Sequence, residues 1–465
     1  MATYRYAKKL SVLLISLSGI GISVTAQAVP SFARQTGMAC IACHTQFPEL
    51  TPFGRQFKLN GYVVDNLRQV SASSLSQRDL LLLNQIPPLS LMFQGSVTRT
   101  NKSLPDKALT GALAQNGQVQ FPQQVSLFYA GRLAPKMGAF IQMTYDAGSG
   151  SWGMDNTDIR FADRYQSPLT PNDPLVWGFT LNNSPSVEDV WNSTPAWGFP
   201  YGTPSAAPGS VASPLLDGAL AGDVGGLGAY VWWNNWLYAE VSAYRTARQG
   251  ATGITGQGPL DSGDSNVISG LSPYWRIAAE KDWGPNSWEA GFSGIDTKLL
   301  PGNGVALEGP TNNFNDVSFD TQYQWITDTQ AITLQGRYIH EDQTLNAAFA
   351  SGGASNLKDK LNELRLTAAY LYNHELGGTF GFFNTTGTSD ALLYPQGAAY
   401  SGSASNSPDT RGYIAELDYL PWLNTKFSLQ YTMYTKFNGG SSNYDGLGRN
   451  ASDNNTLYLL GWFNF

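Results

Sequence analysis

The chain has 465 residues, a formal charge of −7 and only 14% charged residues, against about 25% in an ordinary soluble domain. The acidic balance excludes nucleic acid as a partner. Beyond the N-terminus, no apolar run reaches the roughly 18 residues a membrane-spanning helix needs. Abundant glycine, tryptophan, tyrosine and phenylalanine with few charges point instead to a barrel of strands in an outer membrane.

Taken in chain order, the first element is a basic start, an apolar run from Leu10 to Val24, and then Thr25-Ala26-Gln27-Ala28. This pattern reads as a Sec-type signal peptide over residues 1–28. Its removal takes away Arg5, Lys8 and Lys9 and no acid, so the mature charge falls from −7 to −10.

Residues 29–88 form a distinct segment that holds both cysteines of the chain, in Cys40-Ile41-Ala42-Cys43-His44. C-x-x-C-H is the attachment pattern of c-type haem. Cys40 and Cys43 supply the thioethers and His44 the proximal iron ligand. A zinc site would need four ligands, and a thioredoxin-like pair would need a surrounding βαβ unit. Arg34, Arg55 and Lys58 flank the motif and are candidate contacts for the haem propionates. A weak helical pattern runs over 74–84 and ends at Pro87-Pro88. So short a segment makes a poor core of its own and is expected to pack against something else.

From Leu89 the pattern becomes period two, as in Leu89-Ser90-Leu91-Met92-Phe93-Gln94 and Lys426-Phe427-Ser428-Leu429-Gln430-Tyr431. Such alternation puts one face in an apolar medium and the other on polar contents. Sixteen such segments run from 89–99 to 454–465, an even number, as a single-chain bacterial barrel requires. Turns such as Ala134-Pro135-Lys136, Asn234-Asn235, Gly284-Pro285-Asn286 and Pro421-Trp422-Leu423 are short, while alternate connections are long, the longest between Asn182 and Gly225. This is the periplasmic–extracellular asymmetry of outer-membrane barrels. The fold expected is therefore an all-β, 16-stranded antiparallel transmembrane barrel over 89–465. A lumen that wide holds water or a plug, and the haem segment, entering at the periplasmic rim, is the expected plug.

The distal haem ligand has several candidates. His340 falls on the lipid-facing phase of strand eleven and His374 in a periplasmic turn, so both are surface residues. Met143 and Met433 share the apolar phase, Met154 falls in an outer loop, and Met137 adjoins a turn. Met92 has a lumen-facing phase and is the first choice, with Met38 the second; the alternative is that both only pack. Methionine ligation would raise the haem potential. Asp155, Asp158, Glu188, Asp189, Asp261, Asp264, Glu308 and Asp316 are expected to be solvated acids of the outer loops, with no metal-ligand spacing among them.

Pro30-Ser31-Phe32-Ala33-Arg34-Gln35-Thr36-Gly37, the haem motif, and Phe47-Pro48-Glu49-Leu50-Thr51-Pro52-Phe53-Gly54-Arg55-Gln56-Phe57-Lys58 together resemble the fused outer-membrane cytochrome–porin family, the iron-oxidising c-type cytochromes. Val190-Trp191-Asn192-Ser193-Thr194-Pro195-Ala196-Trp197 extends the resemblance. It implies one covalent haem c, oxidation of extracellular Fe(II), and electron transfer to a periplasmic c-type cytochrome or another carrier. Two other readings stay open: a conduit for a different extracellular donor or acceptor, and a passive porin with a haem-bearing plug. No catalytic triad or phosphate loop appears in a context that would support it.

Overall fold

The computed structural model describes residues 30–64, 69–70, 83–84, 86–104, 117–146, 150–167, 170–204, 207–246, 267–300 and 309–465. The expected signal peptide lies outside the described residues, as does most of the helical pattern over 74–84. The two described residues of that pattern, Leu83 and Asn84, are extended and pair antiparallel with Gln69 and Val70.

Sixteen antiparallel strands form the wall: β1 (Leu89–Thr100), β2 (Gln118–Ala134), β3 (Met137–Asp146), β4 (Ser151–Ser167), β5 (Thr170–Asn182), β6 (Val224–Trp233), β7 (Leu237–Thr246), β8 (Ser272–Trp283), β9 (Asn286–Leu300), β10 (Asn312–Ile326), β11 (Gln330–Leu345), β12 (Lys358–Tyr372), β13 (Leu376–Gly387), β14 (Thr410–Trp422), β15 (Thr425–Lys436) and β16 (Thr456–Asn464). Each pairs with its sequence neighbours, and β16 closes the ring on β1, with Phe463 opposite Phe93. A two-residue strand, Val267–Ile268, lies against the outer end of β9.

The strands run several residues further outward than the hydrophobic alternation does. β4 starts at Ser151, so Met154 is a strand residue paired with Met143 rather than a loop residue. β10 starts at Asn312 and β11 runs to Leu345. The added residues include Asn312, Asn313, Gln343 and Thr344, polar on both faces, so the backbone ladder continues where the side-chain signal has stopped. At the opposite rim the chain reverses tightly. Asn234 and Asn235 have φ of 53° and 56°, and Asn373 and His374 have φ of 52° and 56°, the left-handed pairs of type I′ hairpins. The β14–β15 turn falls on Leu423-Asn424, one residue later than the sequence suggests.

The wall inverts the usual distribution of polarity. On β14, Leu417 is 65% exposed while Glu416 and Asp418 are buried. Outward-facing Trp233, Trp236, Trp283, Trp288, Tyr372 and Trp422 gather near the short turns, an aromatic girdle at a membrane interface. An apolar exterior on a closed sheet leaves no backbone group unpaired in lipid, so the protein is a bacterial outer-membrane β-barrel.

The lumen is packed. Residues 30–64 enter it as three short helices, α1 (Pro30–Thr36), α2 (Cys40–Cys43) and α3 (Pro52–Leu59). Gln35 of α1 donates to the carbonyl of Ala130 on β2 (2.9 Å). Gly61 lies against Gly138 of β3, where a Cβ would stand 2.3 Å from the Gly61 carbonyl oxygen. The long connection between β5 and β6 also folds inward. Val187, Val190 and Trp191 are buried, Asn192 donates to the Pro48 carbonyl (2.8 Å), and Leu216 N donates to Asp316 (2.7 Å). Arg276 of β8 ties this loop to the wall through Asp189 (3.5 Å), Glu289 (3.0 Å) and Asp320 (2.7 Å).

A candidate haem cavity in the lumen

The Cys-x-x-Cys pair forms a single helical turn. The turn places Cys40 and Cys43 three residues apart, with Cys40 buried and Cys43 half-buried. His44 caps this turn, its N–H donating to the Cys40 carbonyl (2.9 Å), and then turns into extended backbone at φ −128° and ψ 139°. Thr51 locks the motif to α3. Its N–H donates to the Cys43 carbonyl (2.9 Å), its hydroxyl donates to the Ala42 carbonyl (2.7 Å), and the same oxygen accepts from Gly54 N (3.1 Å). The absence of a side chain at Gly54 is required, because a Cβ there would stand 2.2 Å from the Cys43 carbonyl oxygen.

His44 Nδ1 lies 3.1 Å from the Glu49 carbonyl oxygen. A carbonyl only accepts, so Nδ1 carries the proton and Nε2 keeps its lone pair. Burial holds the imidazole neutral, lowering its pKa to about 4. Burial also pushes the Cys40 and Cys43 thiols up, to about 12 and about 11. A reactive redox pair has a depressed thiol pKa instead.

His44 and Cys43 open onto a cavity of about 380 Å³, within the range of small-molecule and cofactor sites. Met38 and Met92 line the same cavity, as do Phe32, Phe57, Phe128 and Trp197. Cys40 lies behind it, packed with Ala33 and Phe47. The structure therefore gathers Cys43, His44 and both methionine candidates around one space. His340 points out of the wall and accepts no role there: its Nδ1 lies 2.7 Å from Asn362 Oδ1. His374 sits in its turn, with Nε2 3.1 Å from the Asp328 carbonyl oxygen.

The three flanking cations separate. Lys58 lines the cavity, 5.0 Å from the Trp197 ring centre, and donates to the carbonyls of Val187 (2.6 Å) and Asp189 (2.7 Å). Burial, aided by Arg160, lowers its pKa to about 8. Arg55 is fully buried and committed to the wall, through Glu280 (2.9 Å), Ser287 (2.7 Å) and Gln324 (2.6 Å). Arg34 donates to the Leu89 carbonyl at the rim. Of the three propionate candidates only Lys58 borders the cavity, because Arg55 and Arg34 are spent on fixing the plug.

The loop acids also need correction. Glu188 and Asp189 are buried because the β5–β6 loop folds in rather than out, while Asp158 and Asp316 are lumen-facing residues of β4 and β10, hydrogen-bonded to Tyr62 of the plug and to Leu216 N of that loop. Asp261, Asp264 and Glu308 lie outside the described residues. The aromatic lining was not anticipated, yet a signal existed. Phe128 shares the lumen face with Gln124 and Ser126, and Phe140 shares it with Gln142 and Thr144. Large apolar residues on an otherwise polar face mark where something apolar sits.

No protein-family model matches the chain, and no curated protein matches it. Solved structures with similar barrels include the outer-membrane channel DcaP of Acinetobacter baumannii (11% identity, TM-score 0.45, 81% of this chain and 96% of that one). An anion-selective porin from Comamonas acidovorans gives 11% identity and a TM-score of 0.42 over 81% and 98% of the two chains. OmpT of Vibrio cholerae gives 8% and 0.42 over 81% and 97%. Overlaps this loose add nothing to what the hydrogen-bonded ring of sixteen strands already establishes.

Proposed function

We propose that the protein is an outer-membrane monohaem c-type cytochrome that oxidises extracellular Fe(II) and passes single electrons to a periplasmic c-type cytochrome. The observation that carries this reading is the convergence of Cys43, His44, Met38 and Met92 on one largely apolar cavity inside the barrel. Cys43, His44, Lys58 and both methionines border the space the cofactor would take, with Cys40 one helical turn away and packed on Ala33 and Phe47. Cys40 and Cys43 would form the thioethers, His44 Nε2 is the free ligand nitrogen, and Met92 or Met38 would hold the opposite side. Lys58 offers a cation to a propionate. Haem bound there supplies a one-electron Fe(III)/Fe(II) couple, matched to the one-electron change of iron. The chain's own part is to hold the couple at a fixed place in the lumen, between an external donor and a periplasmic acceptor.

A passive porin with a haem-bearing plug shares this barrel, and it needs a solute path past the plug and the β5–β6 loop. Arg55, Arg160 and Arg276, which face the lumen, are all fully buried. The test is mass analysis and haem staining of the purified chain. One covalent haem is expected, absent from the Cys40→Ala/Cys43→Ala variant. A chain without haem that conducts solutes would contradict the proposal.

A further inference from the structure

Where β3 faces β4 the ladder is interrupted. Ile141 pairs with Thr157 and Met143 with Met154, so Asp155 and Asn156 together oppose Gln142 alone. Such a bulge re-aims side chains, and bulges gather beside functional sites. Strict alternation from outward-facing Met154 would turn Asn156 outward as well. Instead Asp155 and Asn156 both line the cavity that also holds Cys43 and His44.

The carboxylate of Asp155 is fixed in place. Its Oδ2 accepts from Thr144 Oγ1 (2.8 Å) and Gln142 Nε2 (3.0 Å), and its Oδ1 accepts from Asn156 N (2.8 Å). The Gln142 amide nitrogen also reaches Ser126 Oγ (3.2 Å) and Thr144 Oγ1 (3.1 Å). Its amide oxygen is therefore the end left for a ligand. Gln94 and Gln124 line the same wall of the cavity. Among the described residues Asp155 is the one carboxylate on the cavity surface, and Lys58 is the one lysine or arginine. The cavity lining thus includes both the His44 imidazole and a fixed carboxylate.

We propose that Asp155, with the side-chain oxygens of Asn156 and Gln142, is the docking subsite for the electron donor, a hydrated divalent metal cation. The subsite rests on the proposed function. Carboxylate and amide oxygens suit hard or borderline divalent ions, and a fixed site beside the redox centre replaces random encounter with a defined approach. With haem bound, the oxidised cofactor would supply the one-electron acceptor, and each Fe(II) held at Asp155 would give up one electron. The Fe(III) product leaves with its water, and no proton or carbon bond changes at Asp155.

Two measurements test it. The first uses Mn(II) as the probe, followed by electron paramagnetic resonance on the full chain produced without haem attachment. Wild type is expected to bind one Mn(II) ion more than D155N, with D155E retaining it. Equal binding by wild type and D155N would overturn the subsite. The second uses the haem-loaded protein, where D155N is expected to raise KM for Fe(II) about tenfold, the loss of one charge-assisted contact. Its reduction by ascorbate should be unchanged. Unchanged Fe(II) kinetics in D155N, with wild-type haem reduced normally, would overturn the subsite and leave the cytochrome reading standing. Mn(II) bound at Asp155 in a chain whose haem ignores Fe(II) would overturn the iron-oxidase reading and keep the subsite.

Discussion

The wall and the contents of the lumen meet opposite surroundings with the same chemistry. On the wall, leucine and tryptophan face out and glutamate faces in, because the outside is lipid. Inside, where an open pore would hold water, the plug and the β5–β6 loop replace solvent with fixed partners. Arg55, Arg160 and Arg276 are fully buried there, each beside a carboxylate: Glu280 at 2.9 Å, Asp158 at 2.7 Å and Asp320 at 2.7 Å. The lesson is that this lumen is built as a protein interior. Each buried ion pair costs desolvation that only good geometry recovers.

The contrast can be broken from the inside first. Arg276→Met leaves Asp189, Glu289 and Asp320 without their shared cation. Loss of one partner of a buried pair costs about 3–5 kcal/mol. Denaturant unfolding of the refolded barrel, read by gel mobility, should show that loss, and a change within error would mean the lumen is wet. From the outside, Leu417→Arg places a charge on the lipid face and should cost about 2–4 kcal/mol near mid-membrane, checked by the same assay. Gly54→Val forces a side chain into the Cys43 carbonyl. Overpacking of this kind costs about 1–3 kcal/mol, and haem content per chain should fall with barrel assembly intact.

Met92→Leu and Met38→Leu sharpen the site itself. Each is a volume-conserving change that should cost under about 1.5 kcal/mol, so any drop in haem midpoint potential reports ligation rather than unfolding. Only one of the two should lower it. His340→Gln and His374→Gln should stay within about 0.5 kcal/mol, as surface changes do, with an unaltered haem spectrum. A spectral change in either would overturn the placement of the histidines.

The wall was legible because each strand reports its own surroundings at every second residue. The sixteen segments and their short turns at Asn234-Asn235 and His374 all follow from local pattern. The local geometry of Cys40, Cys43 and His44 was legible for a similar reason, since the three lie within one helical turn and its cap. The lumen was not. Asn192 meets Pro48, Arg55 meets Glu280 and Lys58 meets Val187 across more than a hundred residues of chain. Nothing local tells a loop to fold inward, so Glu188 and Asp189 read as solvated acids. The bulge at Asp155 was equally hidden, because a two-for-one pairing is a property of two strands and not of either sequence alone.

The proposed function requires one covalent haem in the lumen that takes single electrons from external iron. The most direct measurement is a titration of the purified protein with Fe(II), following haem absorbance. One haem per chain is expected, reduced in a single one-electron wave by Fe(II). A chain that carries no haem, or whose haem stays oxidised because its potential is strongly negative, would contradict it.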